Sequence, residues 1–410
     1  MTQITEIGGA ARASDTRVIS LVCSAHFVSH FYILLLPPLF PFVREFYGVS
    51  YTELGFALTA FNLTTALCQT PAGFLVDRIG PRAVLVSGLV LGAVSVAIVG
   101  LIPSFWLLVA MFAVLGVANG VYHPADYAIL SQLVSNERAG QAFSLHIFAG
   151  FLGTAITPVT MLILQQWLGW QHALVAASTM ALLVAALFLA QPAALFQTPP
   201  KPAKKPGEEK ADAAGWRLLL SPPILLNLLF FVMITFSTTG VQNYAVVALG
   251  EAYGTPLTVA NTALTANLML SAFGVLVGGL IAARTGRHEW VAAGSFTGLA
   301  ITAGIIGSFD LGFALLMVVM SLNGFVNGLM QPSRDMIVRA VTPVGQFGKV
   351  FGFVTTGFNI GGIIAPLMFG YVMDAGHPRW VFFLVGTLSL LAILTLVPNF
   401  LRRRPEADRA

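Results

Sequence analysis

The chain has 410 residues, of which 57% are hydrophobic and only 9% are charged, whereas a soluble domain carries about 25% charged residues. This composition excludes an ordinary soluble enzyme and is typical of an integral membrane protein. The net charge of +4 does not indicate a nucleic-acid partner, because in a membrane protein the positions of the basic residues matter more than their sum.

Apolar runs long enough to cross about 30 Å of hydrocarbon follow one another along the chain, and their breaks at charges and Gly/Pro clusters predict twelve helical spans. The first six are residues 18–43, 53–76, 82–102, 105–131, 140–166 and 171–195, and the second six are residues 222–249, 257–283, 290–308, 311–338, 347–373 and 380–400. The first 17 residues lack the apolar region and cleavage site of a signal peptide, so we expect the first run to be retained.

The predicted spans divide the chain into two bundles joined by a polar linker. The divisions are a cytoplasmic tail over residues 1–17, an N-terminal six-helix bundle over 18–196, a flexible cytoplasmic linker over 197–217, a C-terminal six-helix bundle over 218–400 and a basic tail over 401–410. With the N-terminus in the cytoplasm, only Arg44 and Arg379 of the 21 Lys and Arg residues fall on the outer side, as the positive-inside rule requires. We therefore predict a multi-pass protein of the inner membrane with both termini cytoplasmic.

The two bundles are related by sequence. Glu45 matches Glu251, an offset of 251 − 45 = 206, and the same offset matches further glycine, threonine and alanine residues through the second span of each half. Beyond the third span the offset is 208, as for Pro124 and Pro332. We infer a duplicated six-helix unit.

The turn between the second and third spans reads GFLVDRIGPR, residues 73–82. The pattern G-x-L-x-D-R-x-G-x-R is supplied by Gly73, Leu75, Asp77, Arg78, Gly80 and Arg82. This spacing resembles the loop signature of the major facilitator superfamily. The second half keeps Gly279, Arg284, Gly286 and Arg287 but has Ala283 in the place of Asp77. The resemblance implies an all-α membrane fold, two six-helix bundles related by a parallel pseudo-two-fold axis, and a substrate site between halves that rock against each other.

Two further segments are similar to the fosmidomycin-resistance branch of that superfamily. They are HFVSHFYILLLPPLFPF at residues 26–42 and GVANGVYHPADYAIL at residues 116–130. This chain departs from the branch at one position, where it has His30 and the branch often has an aspartate. The resemblance implies proton-coupled export of a small organic solute; uptake of a small organic anion is the alternative.

Ionisable residues at membrane depth are candidates for function because they are costly to bury there. His26 and His30 are four residues apart and share a helix face, and with Asp126 they are the candidates for proton coupling; two neutral, hydrogen-bonded histidines are the alternative. His146 on the fifth span is a further candidate, for which a packing role is the favoured interpretation. For substrate binding we predict side chains on the first, fourth and seventh spans, which line the cavity in the superfamily: His26, His30, Tyr32, Tyr122, His123, Gln242, Asn243 and Tyr244.

A gate is predicted at the cytoplasmic end. Asp77 is expected to accept hydrogen bonds from the start of the eleventh span near Gly348, and Asp126 is expected to face Arg334, its equivalent under the 208 offset; pairing of Arg334 with the adjacent Asp335 is the alternative. The gate residues are Asp77, Arg78, Arg82, Asp126, Arg334 and Gly348.

Motifs of soluble chemistry are absent. The sequence has no phosphate-binding glycine loop, no zinc-type Cys/His spacing and no nucleophile elbow, and Cys23 and Cys68 both fall inside apolar runs. This argues against an ATP-driven pump, and a membrane-embedded enzyme would need a carboxylate cluster that the sequence does not offer. We expect a monomer that binds a small solute, protons and the lipid bilayer, with no cofactor and no metal ion.

Overall fold

The computed structural model describes residues 2–192, 195, 217–343 and 346–397, and describes side chains within them except at residues 2–14, 347 and 348. Apart from Arg217, the predicted linker and the basic tail lie outside the described residues. Helices account for nearly all of the described chain, and no strand occurs in it. The all-α prediction is confirmed.

The helices follow the apolar runs. Those of the first half are α1 Thr2–Ile33, α2 Phe40–Tyr47, α3 Tyr51–Ile79, α4 Pro81–Leu101, α5 Phe105–Gly120, α6 Tyr122–Leu133 and α7 Asn136–Leu189. Those of the second half are α8 Pro222–Thr239, α9 Ala245–Tyr253, α10 Leu257–Arg284, α11 His288–Ser308, α12 Phe313–Val341, α13 Phe347–Asp374 and α14 Arg379–Leu394. In α7 the chain turns at Gly169, whose φ of 79° and ψ of 158° are not helical, so α7 covers the fifth and sixth predicted spans.

Nine stretches of the described residues are long and apolar enough to cross a membrane. The chain is therefore a multi-pass membrane protein, while the count of twelve spans stays a prediction. One difference from the sequence interpretation is at the N-terminus, where α1 begins at Thr2, well before the first apolar run.

The first span of each half is broken at the same place. In the first half α1 ends at Ile33 and a short 3₁₀ helix, Pro37–Leu39, leads into α2, because the two prolines have no N–H to continue the helix. In the second half α8 ends at Thr239 (239 − 33 = 206) and a π-helical turn, Gly240–Tyr244, leads into α9. The spans predicted over 18–43 and 222–249 thus each contain a break that the apolar runs did not indicate, and the matched breaks agree with the duplication.

Within each half, a glycine lets the fourth transmembrane span (α5 or α12) pack closely against the second (α3 or α10). A Cβ added to Gly116 of α5 would collide with the Phe61 carbonyl of α3, and one added to the equivalent Gly324 of α12 would collide with the Asn267 carbonyl of α10. Small residues allow such close backbone contact, which drives helix packing where hydrophobic burial between helices gives little advantage.

The two halves meet where α3 begins and α13 ends. The backbone N–H groups of Tyr51 and Thr52 each donate to the Asp374 carboxylate at 2.8 Å, and further along α3 the Thr59 hydroxyl donates to the Ile363 carbonyl at 2.8 Å. A carboxylate is favoured at this position because the N-terminus of α3 carries partial positive charge. We call this region the Asp374 end; the predicted orientation places it outside the cell.

Candidate functional site

A group of buried polar side chains lies inside the N-terminal half, on three helices. It consists of His26 and His30 of α1, His123 and Asp126 of α6, and His146 of α7, and we call it the histidine–aspartate centre. Three of its members are almost without solvent contact: Asp126 is 0% exposed, His146 1% and His26 3%. The centre therefore lies in an apolar bundle where each charge or polar atom needs a partner.

Asp126 joins two of the imidazoles. Its Oδ2 atom lies 3.1 Å from His146 Nε2 and 3.4 Å from His26 Nδ1. The rings of His26 and His146 are stacked, with centroids 3.6 Å apart and planes inclined by 20°. One carboxylate oxygen thus faces a nitrogen from each of two stacked imidazoles.

His30 extends the centre along α1. Its ring meets that of His26 edge-on at 4.6 Å, and its Nδ1 lies 3.1 Å from the Thr154 hydroxyl. That hydroxyl donates to the Gly150 carbonyl, so it accepts a hydrogen bond from His30 Nδ1–H. His30 Nε2 is then left as a hydrogen-bond acceptor.

Two features of the sequence make room for these rings. Gly150 of α7 is needed because an added Cβ would lie 2.8 Å from His26 Nε2 and 3.0 Å from His30 Cδ2. The fourth pass is divided at Val121 into α5 and α6, and His123 and Asp126 follow in the first turns of α6. His123 places its ring centroid 5.2 Å from that of His26.

Several buried polar atoms of this region have no hydrogen-bond partner among the described residues. They are His26 Nδ1, Tyr122 OH, His123 Nδ1, Asp126 Oδ1 and His146 Nδ1; His26 Nδ1 is close to Asp126 Oδ2 but forms no hydrogen bond with it. Leaving a buried polar group unpaired costs about 1–3 kcal/mol, so helix packing alone does not account for the centre. Donor atoms of His26, Asp126 and His146 also lie within 4.8 Å of one another, an arrangement that a divalent metal ion could use.

The predicted pairing of Asp126 with Arg334 is wrong for this conformation. Asp126 is enclosed by the histidines of its own half, while the Nε of Arg334 donates to Asp335 at 2.8 Å, the alternative that the sequence left open. The guanidinium lies against a pair of adjacent aromatic rings, with its carbon 5.0 Å from the Phe231 ring centre and 5.2 Å from that of Phe358. We call Phe231, Arg334 and Phe358 the arginine cage.

The remaining predicted substrate residues fall into two groups. The hydroxyls of Tyr32 and Tyr244 donate to backbone carbonyls, of Ala177 at 3.1 Å and of Pro366 at 2.6 Å, which fixes them as helix-to-helix contacts. Gln242 and Asn243 lie in the π-helical turn and are half-buried. Gln242 lines a cavity of about 20 Å³. Thr238, Asn267, Asn323 and Asn327 also line that cavity.

The gate residues near the end of α3 are placed as follows. Asp77 and Arg78 are exposed in its last turn. The predicted contact of Asp77 with the helix start near Gly348 stays a prediction. Arg82 donates to the carbonyls of Phe188 and Gln191 at 2.7 and 2.9 Å. These bonds hold the C-terminal end of α7 in the same half, and bases are favoured at such an end.

His146, for which the sequence favoured a packing role, is hydrogen-bonded to Asp126. The sequence contains a signal for this pairing. The turn between α6 and α7 is at Ser135; Asp126 lies nine residues before it (135 − 126) and His146 lies eleven residues after it (146 − 135). Two antiparallel helices therefore place both side chains at a similar depth. An imidazole at the depth of a buried carboxylate is a partner for it.

Comparison with known proteins gives the same class as the fold and the buried centre. The chain matches the Major Facilitator Superfamily over residues 22–244 and 228–410, and it belongs to that superfamily. A mutant of the nucleoside transporter NupG has a similar structure, with a TM-score of 0.77 at 12% identity, covering 94% of this chain and 100% of that one.

Curated relatives are similar along most of their length. The probable sulfoacetate transporter SauU of Cupriavidus necator is 25% identical and 87% of each chain is covered. The fosmidomycin resistance protein of Escherichia coli is 23% identical and 95% of each chain is covered. These findings confirm the resemblance stated from the sequence, and this chain is a transporter rather than an enzyme.

Proposed function

We propose that this chain is a proton-coupled secondary transporter, in which a small organic solute crosses by alternating access and the histidine–aspartate centre carries the proton. The observation that supports this proposal is the position of Asp126, fully buried with its Oδ2 within 3.4 Å of two imidazole nitrogens. A carboxylate buried in this way is costly unless it is paired and hydrogen-bonded, so it is retained for a role.

The chemistry of the centre suits a proton that stays bound during the transport step. Asp126 Oδ2, His26 Nδ1 and His146 Nε2 lie within 4.8 Å of one another, so a proton bound to this group cancels the negative charge of Asp126 and adds no new charge in hydrocarbon. His30 and His123 extend the chain of imidazoles away from the carboxylate. Rocking of the two halves would open this chain to one side and then to the other, which is what coupling requires.

For the direction of transport we propose export across the bacterial inner membrane, because a relative is named for resistance to fosmidomycin. The second candidate is uptake of a small organic anion. Arg334 favours it, since a cation held at membrane depth next to the cavity-lining helices can neutralise an anionic solute. We further propose that both termini are cytoplasmic and that the protein acts as a monomer.

The proposal is tested in proteoliposomes containing the purified chain, with labelled sulfoacetate and fosmidomycin as probes. In the wild type, an imposed pH gradient should drive net flux of at least one probe. Asp126→Asn and His146→Gln should lose the response to the gradient while retaining counterflow exchange, and the matched control His172→Gln, at an exposed position of α7, should keep it.

Two outcomes would contradict the proposal. Gradient-driven flux at the wild-type rate in both Asp126→Asn and His146→Gln would show that the centre does not carry the proton. Loss of wild-type flux after treatment with a chelator, restored by a divalent metal ion, would show that the three donors hold a metal instead.

A further inference from the structure

Arg334 is a cation in the transmembrane part of α12, at the position equivalent to Asp126. α12 runs from Phe313 to Val341, so Arg334 lies seven residues before its end (341 − 334), about 10 Å along the axis at 1.5 Å per residue. With spacings of four, four and three residues, Asn323, Asn327, Gln331 and Arg334 share one face of the helix. Asn323 and Asn327 line the cavity that Gln242 also lines.

The arginine cage fixes the position of this cation. Phe231 of α8 and Phe358 of α13 lie with ring centres 4.7 Å apart, and both lie within 5.2 Å of the guanidinium carbon. An arginine held against aromatic rings loses part of its conformational freedom before any ligand arrives. A pre-organised cation binds more tightly than a mobile one because less ordering remains to be done on binding.

The hydrogen-bonding capacity of Arg334 is only partly used. Nε donates to Asp335 Oδ1, whereas Nη1 and Nη2 have no hydrogen-bond partner among the described residues. The side chain of Arg334 is 12% exposed and that of Asp335 is 43% exposed, so water screens the neutralising carboxylate more than it screens the guanidinium. Two N–H groups on a planar fork match the oxygens of a carboxylate, sulfonate or phosphonate.

We propose that the arginine cage is the binding site for the acidic group of an anionic solute, with Arg334 as the residue that contacts it. This inference rests on the proposed transport of a small organic solute and names the class: an organic acid bearing a carboxylate, sulfonate or phosphonate. Two relatives named for sulfoacetate and fosmidomycin point to the same class, since both compounds are anions of this kind.

The test is equilibrium binding to the detergent-purified chain at fixed pH with no gradient, with sulfoacetate and fosmidomycin as probes. Arg334→Gln should weaken binding by about ten- to a hundredfold, the loss expected for a hydrogen bond to a charged group. Arg334→Lys should keep part of the affinity, because it retains the charge and loses the fork. Arg339→Gln, which changes an exposed arginine five residues along the same helix, should bind as the wild type does.

Asp335→Asn provides a change of opposite sign. It removes the carboxylate that competes for Arg334, so both probes should bind more tightly, and a variant that binds more tightly has folded. Unchanged affinity in both Arg334→Gln and Asp335→Asn, or no binding of either probe to the wild type at millimolar concentration, would overturn the inference. Failure of proton coupling would appear separately, as gradient-driven flux that is unaffected by Asp126→Asn.

Discussion

Asp126 and Arg334 occupy equivalent positions in the two halves, yet their surroundings have diverged into opposite kinds of site. Asp126 is fully enclosed and contacts two stacked imidazoles, whereas Arg334 is partly exposed and lies against two adjacent phenyl rings. In both halves these neighbouring rings come from the first and fifth spans, which are α1 and α7 in the first half and α8 and α13 in the second. Gly150 and Phe358 are themselves equivalent, by 358 − 150 = 208.

The difference shows how one duplicated frame can separate two tasks. A small residue at position 150 leaves space for histidine rings next to a carboxylate, which suits a group that gains and loses a proton. A phenyl ring at position 358 instead fills that space and faces a permanent cation, which suits a group that holds an anion. In our proposals the N-terminal half handles the proton and the C-terminal half handles the solute.

The largest expected effect comes from breaking the N-terminal site. His146→Ala removes one of the two imidazoles that contact the buried carboxylate of Asp126. Loss of one partner of a buried pair lowers the unfolding free energy by about 3–5 kcal/mol. Arg334→Ala in the C-terminal site should cost only about 1–2 kcal/mol, because its contacts are a cation–π pair and a bond to a half-exposed carboxylate. SDS titration of the purified variants in mild detergent measures both.

The control for this contrast is His172→Ala, which changes an exposed histidine of α7 and should alter the unfolding free energy little. In addition, the double variant Asp126→Asn/His146→Ala should lose less unfolding free energy than the sum of the two single losses. The reason is that the amide carries no charge that the missing imidazole would have to compensate. Equal costs for His146→Ala and Arg334→Ala would show that the two sites do not differ in burial energetics.

The fold was largely predictable from the sequence. The length and apolarity of a helical run are local properties of the chain, and the glycine and charge pattern of residues 73–82 lies within a single short segment. The duplication was also visible in the chain. The spacing from Ser135 gives the similar depth of Asp126 and His146, but it does not give the contact between them, because that depends on how α1, α6 and α7 are rotated about their axes. Symmetry suggested Arg334 as the partner, whereas the buried carboxylate is bound by histidines that have no counterpart in the second half.

An intermediate effect is expected from Gly150→Ala, which tests whether the small residue is what permits the histidine–aspartate centre. The added Cβ would lie 2.8 Å from His26 Nε2, so the stacked rings must shift. Overpacking of this kind costs about 1–3 kcal/mol, and we expect gradient-driven transport to fall while substrate binding in detergent is retained. Gly140→Ala on the same helix meets nothing within 4 Å and should be neutral or slightly stabilising. A Gly150→Ala variant with wild-type stability and coupling would contradict the idea that the size of the residue at this position accounts for the difference between the two sites.

The smallest effect is expected from Phe358→Leu, which thins one wall of the arginine cage. Phe358 is half-buried and its ring centre lies 5.2 Å from the guanidinium carbon, so removing the ring should cost about 0.5–1 kcal/mol of unfolding free energy. Anion affinity should fall by only a few-fold, since Arg334 keeps its charge and its contact with the Phe231 ring but gains conformational freedom that the ligand must remove. Binding of sulfoacetate measured beside Arg334→Gln ranks the two effects. If Phe358→Leu weakens binding as much as Arg334→Gln does, the ring rather than the cation dominates recognition, and the division between a proton half and an anion half fails on the C-terminal side.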